Sequence, residues 1–331
     1  MEHHDLPGYD AAQAGSAYFP QTQAGFLLIS GPDRSAYLQR QTTNDVRVLR
    51  PGQAVLTVLT TPSARILDIF YLFSSDEEEA SASLSAISLP GRSAQTTRYL
   101  KSRIFFNDHV TVENASGQID QYDLVGPQAE SVLTRMGFAR LPATNEIASG
   151  QLGDSNLHAL HPEASFSLGY RLWVPADARG ELEAALQASG AVRLSPDSYE
   201  ILRIEKGLPG PVEELTERFT PLETGLEAAI SQTKGCYTGQ EVIARQITYD
   251  KITQQLTGLR LEAMAKAGQR VWVDGKSVGV VTSAVRSPRF GPLALAVIKR
   301  PYHAPGTAVL VGDESQEGIP AVTSPPPFHN P

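Results

Sequence analysis

The only cysteine among the 331 residues, Cys236, lies in a short run whose residue types could do chemistry. The run covers residues 234–241 and reads KGCYTGQE, so the thiol stands two residues after the ammonium group of Lys234. A nearby positive charge favours thiolate over thiol, and the thiolate is the form that attacks electrophiles and binds metals. Cys236 is therefore a candidate reactive thiol with Lys234 as the group that activates it. The alternative is that an isolated cysteine serves as a small buried apolar residue.

The start of a helix adds to this environment. Thr238 and Glu241 have the T-x-x-E spacing of a capping box, and an apolar run at 242–244 follows directly. This pattern predicts that a helix begins near Gly239, with Cys236 just ahead of its positive end. The helix dipole would again favour the thiolate.

The same run closely resembles the signature of YgfZ-type folate-binding proteins, which are relatives of the glycine-cleavage T-protein, an aminomethyltransferase. Other segments resemble the motifs of this family, in the expected order: L-Q-x-x-T-N-D and P-G-Q at 38–45 and 50–53, R-[IL]-E-x-G at 203–207, P-x-E-x-G-L at 221–226 and G-x-[IV]-T-S-A at 279–284. The resemblance spans roughly residues 20–311.

The resemblance implies an α+β fold in which ferredoxin-like α/β units surround a central folate pocket, followed by a small C-terminal antiparallel β-barrel. Strand and helix patterns do alternate in the first part of the chain, and short β-rich segments separated by Gly and Pro follow it. We predict four parts: a flexible N-terminal tail at 1–15, a folate-binding region at 16–250 with a break between two ferredoxin-like units near 141–156, the barrel at 251–318, and a disordered tail at 319–331.

The resemblance further implies tetrahydrofolate, or a one-carbon derivative of it, as the cofactor. Glu205 matches the family's glutamate that accepts hydrogen bonds from the pterin ring, and a carboxylate suits the adjacent N–H donors of a 2-amino-4-oxo ring. Glu223 lies in the segment that resembles the rim of the pocket, Asn44 and Asp45 could line the cavity, and Tyr237 could stack on a flat ring. Each has a structural alternative, as a helix-end carboxylate, a turn residue or a packed ring.

One stretch departs from the aminomethyltransferase pattern. Those enzymes carry an aspartate pair whose second member is essential to methylene transfer, whereas this chain has Asp68 in the first place and Ile69 in the second. Neighbouring side chains on a strand face opposite sides, so Asp68 is expected to point away from the folate. Cys236 also stands where the aminomethyltransferase motif commonly carries aspartate. Glycine cleavage is therefore a poor match to this sequence.

Composition restricts the possible partners. The chain has 28 Lys and Arg against 36 Asp and Glu, a formal net charge of −8, which disfavours direct binding of nucleic acid. The start of the chain does not resemble a signal peptide and no apolar run reaches 18 residues, so we expect a cytoplasmic protein without a membrane partner. His158 and His161 lack the further ligands of a zinc site, and we predict no metal site.

Three functional hypotheses follow. The first is a tetrahydrofolate-binding protein that supports the assembly or repair of iron–sulfur enzymes, and indirectly tRNA modification, through Cys236. Its partners would be iron–sulfur enzymes or their assembly factors, which the thiolate would reach through a mixed disulfide or a bond to iron. The second is a folate-dependent one-carbon transferase, aminomethyltransferase or demethylase, with Asp68, Asp45 or Glu223 as its carboxylate. The third is a non-catalytic scaffold with a vestigial folate pocket.

Overall fold

The computed structural model describes residues 6–74, 83–164, 166–314 and 318–329. It divides into two compact units. The first combines Met1–Ser198 with Ala228–Gln240, and the second combines Tyr199–Glu227 with Glu241–Pro331. The chain therefore leaves the first unit, returns to it for thirteen residues and leaves it again.

The first unit contains a six-stranded sheet. Its strands are β1 (Ala17–Pro20), β7 (Ile119–Val125), β8 (Ile147–Leu152), β9 (Ser155–Leu160), β10 (Gly169–Pro175) and β11 (Val192–Arg193), in the spatial order β11-β1-β7-β10-β9-β8. Strand β1 pairs parallel with β11 and antiparallel with β7. Helices α4 (Ala129–Arg135) and α5 (Arg179–Ala188) cover one face, where Val132 and Leu182 pack with Leu172 of β10.

A second sheet in this unit is antiparallel and has five strands. These are β2 (Gly25–Ser30), β3 (Ala54–Thr60), β4 (Ile66–Ser74), β5 (Leu84–Ser88) and β6 (Thr111–Asn114), in the order β3-β4-β5-β2-β6. Helices α2 (Arg34–Gln41) and α3 (Ser93–Ser102) cover its outer face, where Leu38 and Leu100 join Leu72 of β4 in a buried core.

The inner faces of these two sheets pack against each other. Side chains alternate between the faces of a strand, so Phe73 of β4 and Trp173 of β10 point away from the helices that cover Leu72 and Leu172. The rings of Phe73 and Trp173 meet with centroids 5.1 Å apart. The first unit is therefore a four-layer arrangement, with helices outside and two sheets inside.

The second unit contains a closed barrel with the strand order β12-β15-β14-β13-β16-β17. Its strands are β12 (Gln254–Leu261), β13 (Arg270–Val273), β14 (Lys276–Ser287), β15 (Gly291–Lys299), β16 (Ala308–Gly312) and β17 (Ile319–Ser324). Asp274 and Gly275, with φ values of 50° and 72°, form the tight turn between β13 and β14, as expected for an Asp-Gly hairpin. The prediction of an α+β fold with a small C-terminal antiparallel barrel is confirmed.

Three further α-helices lie in the described residues. They are α1 (Tyr9–Ala14), α6 (Pro196–Lys206), most of which belongs to the second unit, and α7 (Gln240–Thr248). Helix α7 begins one residue after Gly239, as the capping-box spacing predicted.

The boundaries differ from the predicted ones in three places. Helix α1 lies in the segment predicted as a flexible tail. The buried ring of Tyr9 attaches this helix to the rest of the first unit. The region 141–156, predicted as a break, contains β8 and the start of β9, and the chain instead passes between the two sheets at 21–24 and at 115–118. The predicted disordered tail contains β17, which pairs with β12 and β16 and completes the barrel, and the ring of Phe328 beyond it is buried.

Candidate functional site

Lys234 fixes the loop that carries Cys236. Its side chain is buried, with 5% exposed, and its ammonium group donates hydrogen bonds to the carbonyl oxygens of Thr42 and Asn44 at 2.7 and 2.6 Å. Ser231 donates its backbone N–H to the carbonyl of Thr43 in the same turn. The loop at 231–239 is therefore held against the turn that follows helix α2.

The far end of this loop is held by strand β3 and the turn after it. Thr60 donates its hydroxyl to the carbonyl oxygen of Thr238 at 2.7 Å. Gly239 has a φ of 86°, and a Cβ atom there would lie 2.8 Å from the carbonyl oxygen of Thr61 and 3.1 Å from Cα of Ala64. Only glycine combines this backbone conformation with so close an approach. Between these two anchors the thiol of Cys236 is exposed.

The ammonium group of Lys234 anchors the loop through its own contacts. Burial lowers the pKa of its ammonium group to about 8, and the nearby charge of Asp45 opposes this shift. The ammonium nitrogen also lies 5.1 Å from the centre of the Tyr237 ring. Its described contacts are thus two carbonyl oxygens and an aromatic face, which is the geometry of a structural lysine. Activation of Cys236 by Lys234 stays a prediction.

Asn44 and Asp45 hold the same turn together. The amide of Asn44 donates to the carbonyls of Leu56 and Ala228 at 2.9 and 3.2 Å. Both carboxylate oxygens of Asp45 accept hydrogen bonds from the guanidinium of Arg47, which lower the pKa of Asp45 to about 2. These contacts match the turn alternative for both residues, and a role in ligand binding stays a prediction.

Tyr237 lies in the same loop and is largely buried. Burial raises the pKa of its phenol to about 12, so the ring is neutral at physiological pH. Its described ring contact is the ammonium group of Lys234. Stacking on a ligand ring therefore stays a prediction for Tyr237.

Glu205 lies near the C-terminal end of helix α6 in the second unit, with 6% exposed. The hydroxyl of Ser287 donates to its carboxylate at 2.5 Å and in turn accepts the backbone N–H of Phe290 at 2.9 Å. The carbonyl oxygen of Glu205 accepts the N–H of Phe328 at 2.8 Å. The carboxylate is thus buried and oriented by the end of strand β14.

Glu223 closes a capping box at the start of a short 3₁₀ helix, Pro221–Thr224. Its carboxylate accepts the backbone N–H of Thr220 at 2.8 Å and the side-chain amide of Gln254 at 3.1 Å. These contacts match the structural alternative for Glu223. Its predicted place at the rim of a pocket stays a prediction.

Asp68 is the carboxylate that the sequence predicts to point away from a folate. Its side chain is 0% exposed. The hydroxyl of Thr96 and the backbone N–H groups of Ile69 and Leu89 donate to its two oxygens, at 2.5, 2.8 and 3.1 Å. Burial raises the pKa of this carboxyl to about 6. Asp68 therefore ties β4 to β5 and α3 within the first unit and offers no exposed oxygen to a substrate.

The structure thus separates the predicted site residues into two groups. Asn44, Asp45, Lys234, Cys236 and Tyr237 cluster within the first unit, around the turn after α2 and the loop at 231–239. Glu205 and Glu223 belong to the second unit, where one contacts β14 and the other caps a 3₁₀ helix.

Two polar residues that sequence reasoning missed belong to the same motifs. Gln41 is buried at the end of α2, and its carbonyl oxygen Oε1 has no hydrogen-bond partner among the described residues. Arg203 is buried and donates to Glu214 and to Ser283 of β14, at 3.3 and 2.9 Å. Both could have been identified in the sequence by their position inside the motif segments. Helix periodicity alone does not identify a polar residue as buried.

Comparison with known families places the chain in a class. Residues 8–234 match the GCVT N-terminal domain family, and residues 254–330 match the glycine cleavage T-protein C-terminal barrel domain family. The first match covers more than half of the chain. The protein therefore belongs to the glycine-cleavage T-protein family.

Individual relatives agree with this assignment. The chain is 32% identical over 317 residues to the chloroplastic protein of Arabidopsis thaliana named "Putative transferase At1g60990", covering 94% of this chain and 71% of the relative. It is 27% identical over 316 residues to the aminomethyltransferase of Bacillus subtilis, covering 91% and 84%. The crystal structure of the glycine cleavage system aminomethyltransferase T from Bartonella henselae matches with a TM-score of 0.83 at 22% identity, over 97% of this chain and 88% of that one, and shows the shared fold.

Within the described ranges, none of the helices has the length and apolar character needed to cross a bilayer. The cytoplasmic location stays a prediction.

Proposed function

We propose that this protein is a YgfZ-type member of the T-protein family, which binds a reduced folate and supports the assembly or repair of iron–sulfur enzymes through Cys236. The observation that carries the proposal is the difference in exposure between two candidate reactive groups, the carboxylate of Asp68 and the thiol of Cys236. Asp68 is fully buried and bonded to three donors and Ile69 follows it, whereas Cys236 is exposed on a loop anchored at both ends. The chain thus keeps the family fold but presents a thiol rather than the carboxylate that aminomethyl transfer needs.

A buried acceptor suits a folate. The pterin ring of a reduced folate presents N–H donors, and the carboxylate of Glu205 is buried and oriented by Ser287. When bound, the folate would supply or accept a one-carbon unit. The role of Glu205 would be to bind and orient its ring.

The thiol of Cys236 would act by ligation. A single cysteine cannot enclose an iron–sulfur cluster, which needs several thiolates. Cys236 would instead release its proton to solvent and bond through its thiolate to an iron atom whose other ligands a partner enzyme supplies. No change of oxidation state is needed in that step.

Folate binding is tested by anaerobic titration of the wild type with tetrahydrofolate and with 5-formyl-tetrahydrofolate. Glu205→Gln keeps the size of the side chain but removes its charge, and we expect it to weaken binding about tenfold or more, since hydrogen bonds to charged groups contribute about 1.5–3 kcal/mol. Ser287→Ala is the matched control, because it removes the described partner of Glu205 but no group proposed to touch the folate. An equal loss in both variants would indicate that Glu205 acts only in the fold. Absence of binding to the wild type would favour the scaffold hypothesis.

The role of the thiol is tested separately with Cys236→Ser. This variant should bind folate as the wild type does, because Cys236 is exposed and not proposed as a folate contact. It should fail to restore an oxidatively inactivated [4Fe–4S] hydratase in the presence of iron, sulfide and a thiol reductant. Full restoration by the variant would refute the thiol mechanism and leave the folate proposal standing.

A folate-dependent one-carbon transferase is the second candidate, because the relatives carry the names aminomethyltransferase and transferase. It is tested by incubating the protein and tetrahydrofolate with an S-aminomethyl thiol, or with methylated amines and an added electron acceptor, and detecting 5,10-methylene-tetrahydrofolate by mass. Turnover that Asp45→Asn or Glu223→Gln abolishes would support this candidate. The main proposal predicts no turnover with either donor.

A further inference from the structure

Strand β8 leaves part of one sheet edge of the first unit open. It lies at the end of the six-stranded sheet and pairs with β9 along one side. On its other side, Ile147 donates its backbone N–H to the carbonyl oxygen of Gly52 at 2.8 Å, which covers the start of the strand. Within the described part of the chain, no strand lies beside residues 148–152 on that side. These residues therefore form an open edge.

Ser149 and Gln151 direct their backbone groups to the open edge. A two-residue turn joins β8 to β9, so Leu152 and Ser155, which flank it, exchange their backbone hydrogen bonds with each other. Along an antiparallel strand, alternate residues point their N–H and C=O groups towards the partner strand and away from it. Ile147 points away from β9, because its N–H reaches Gly52. Ser149 and Gln151 follow it in this alternation, and both are exposed.

The other edges of the two sheets are shorter or covered. Strand β11, at the opposite end of the same sheet, has two residues. Strand β3 ends the five-stranded sheet, and its Val58 exchanges hydrogen bonds with the N–H and the hydroxyl of Thr43, at 3.0 and 2.9 Å. Strand β6, at the far end, has four residues and carries Glu113. Shortness, charge and proline protect an edge from added strands, whereas β8 has six residues and neither charge nor proline.

The surface at the turn end of β8 is acidic. Asp154 and Asp177 are exposed, and a Cβ atom on Gly153 would lie 2.4 Å from a carboxylate oxygen of Glu181. The two arginines nearest in sequence are paired with other acids, Arg140 with Glu146 and Arg179 with Asp120. The potential at this end of the edge is therefore negative and favours a basic partner.

We propose that the open edge of β8 binds an extended basic peptide as an added strand. The backbone groups of Ser149 and Gln151 would exchange hydrogen bonds with alternate residues of the peptide, which is the binding mode called β-augmentation. Lysine or arginine side chains of the peptide would lie near Asp154 and Glu181. Strand β8 contains none of the residues proposed to bind folate or to carry the thiol, so the site is independent of the proposed function.

Peptide titration tests the charge selection. The probes are a fluorescein-labelled peptide of alternating lysine and valine, and the same peptide with glutamate in place of lysine. Fluorescence anisotropy is measured at a salt concentration of about 0.15 M, where attraction between distant exposed charges is largely screened. We expect saturable binding of the lysine peptide, with an affinity about tenfold higher than for the glutamate peptide. No saturable binding of the lysine peptide, or equal affinity for the two, would overturn the proposal.

Backbone methylation of the peptide separates strand addition from adhesion by charge. In an extended peptide the N–H groups of alternate residues point to opposite edges, so one alternate set faces β8 and the other faces solvent. N-methylation of one set should weaken binding about tenfold or more, and N-methylation of the other less than about twofold. A shift by one residue cannot compensate, because it turns the lysines to the other face of the sheet. An equal effect of the two sets would overturn the proposal.

A proline variant tests the edge from the side of the protein. Gln151→Pro and Gln151→Ala both lose the side-chain amide that donates to Asn156, but only proline also removes the backbone N–H that faces the open edge. The proline variant should bind the lysine peptide about fivefold more weakly or worse, and the alanine variant within about twofold of the wild type. Circular dichroism checks that both variants fold. Equal affinities of the two folded variants would overturn the proposal, and if the proline variant does not fold, the methylated peptides decide with the wild type.

Discussion

At the scale of single residues, a charged or reactive side chain can stabilise the fold or bind a ligand. Its burial and its hydrogen-bond partners show which of the two it does. Lys234, Asp45 and Glu223 have the residue types of a site, yet their described hydrogen bonds go to a turn, a neighbouring arginine and a helix cap. Cys236 differs from them because its thiol is exposed while the backbone around it is anchored. This contrast makes the thiol the residue whose chemistry the fold leaves available.

Asp68 gives a prediction at this scale. Its pKa of about 6 lies above the ordinary value of 3.8, so between about pH 4 and pH 6 the folded chain keeps a proton that the unfolded chain has released. The stability that this carboxyl contributes is therefore complete below pH 4 and decreases as the pH rises towards 6. Asp68→Asn keeps an oxygen for the N–H groups of Ile69 and Leu89 but does not titrate. The free energy of unfolding of the wild type relative to this variant should fall by about 2–3 kcal/mol between pH 4 and pH 7.

Urea unfolding at a series of pH values measures this difference. A difference between the wild type and Asp68→Asn that stays constant over this pH range would mean that the buried carboxyl does not titrate there.

At the scale of elements, the loop at 231–239 holds Cys236 in an exposed position. Hydrogen bonds hold it at Lys234 and at Thr238, and the close approach of Gly239 to the turn after β3 allows no side chain at that point. Anchors on both sides restrict where the thiol can go. A reactive group on a loop gains a defined position in this way without becoming buried.

Gly239→Ala tests this anchoring. The added Cβ would lie 2.8 Å from the carbonyl oxygen of Thr61, and the positive φ is strained for alanine. We expect a loss of about 1–3 kcal/mol in the free energy of unfolding and a changed rate of alkylation of Cys236. Gly235→Ala is the matched control in the same loop, because a Cβ there meets nothing within 4 Å. An equal effect of the two variants would show that Gly239 has no special role.

The chain beyond β17 gives a second prediction about an element. The ring of Phe328 is 4% exposed and packs with Ile204 of α6 and with Leu293 and Leu295 of β15. Phe328→Ala should therefore lower the free energy of unfolding of the second unit by about 3 kcal/mol, as for other buried phenylalanines. The fully exposed ring of Phe106 provides the control, and Phe106→Ala should change stability by less than about 0.5 kcal/mol. Denaturant unfolding that gave similar values for both variants would mean that the tail contributes no packing.

These elements also show where sequence reasoning succeeds. Helix α7 begins where the sequence predicted a helix start, near Gly239, because the capping-box spacing marks that start locally. Strand β17 and the burial of Phe328 were missed, since a Pro-rich composition says nothing about a distant apolar surface that a single ring can cover. The candidate residues came from motif resemblance, and only the structure shows that Glu223 caps a helix and that Gln41 is a buried acceptor without a described partner.

At the scale of the whole molecule, the order of the chain links the two units. Residues 199–227 belong to the second unit, and then Ala228–Gln240 return to the first before the barrel begins. The returning segment brings Lys234, Cys236 and Tyr237 to the turn after α2. A candidate site in the first unit is thus completed by residues that follow a segment of the second unit.

This order predicts that residues 1–198 alone form an incomplete first unit. They lack the partners that Ala228–Gln240 supply, including the ammonium of Lys234 for the carbonyls of Thr42 and Asn44 and the carbonyl of Ala229 for the hydroxyl of Thr43. Joining 228–240 to 1–198 through a flexible Gly/Ser linker should raise the free energy of unfolding by about 2 kcal/mol or more, since each such hydrogen bond contributes about 1 kcal/mol. The same joined chain with Lys234→Met should lose much of that gain. Equal stability of the three chains in urea would mean that the fold of the first unit does not depend on the returning segment, and that the segment is positioned only by the units it connects.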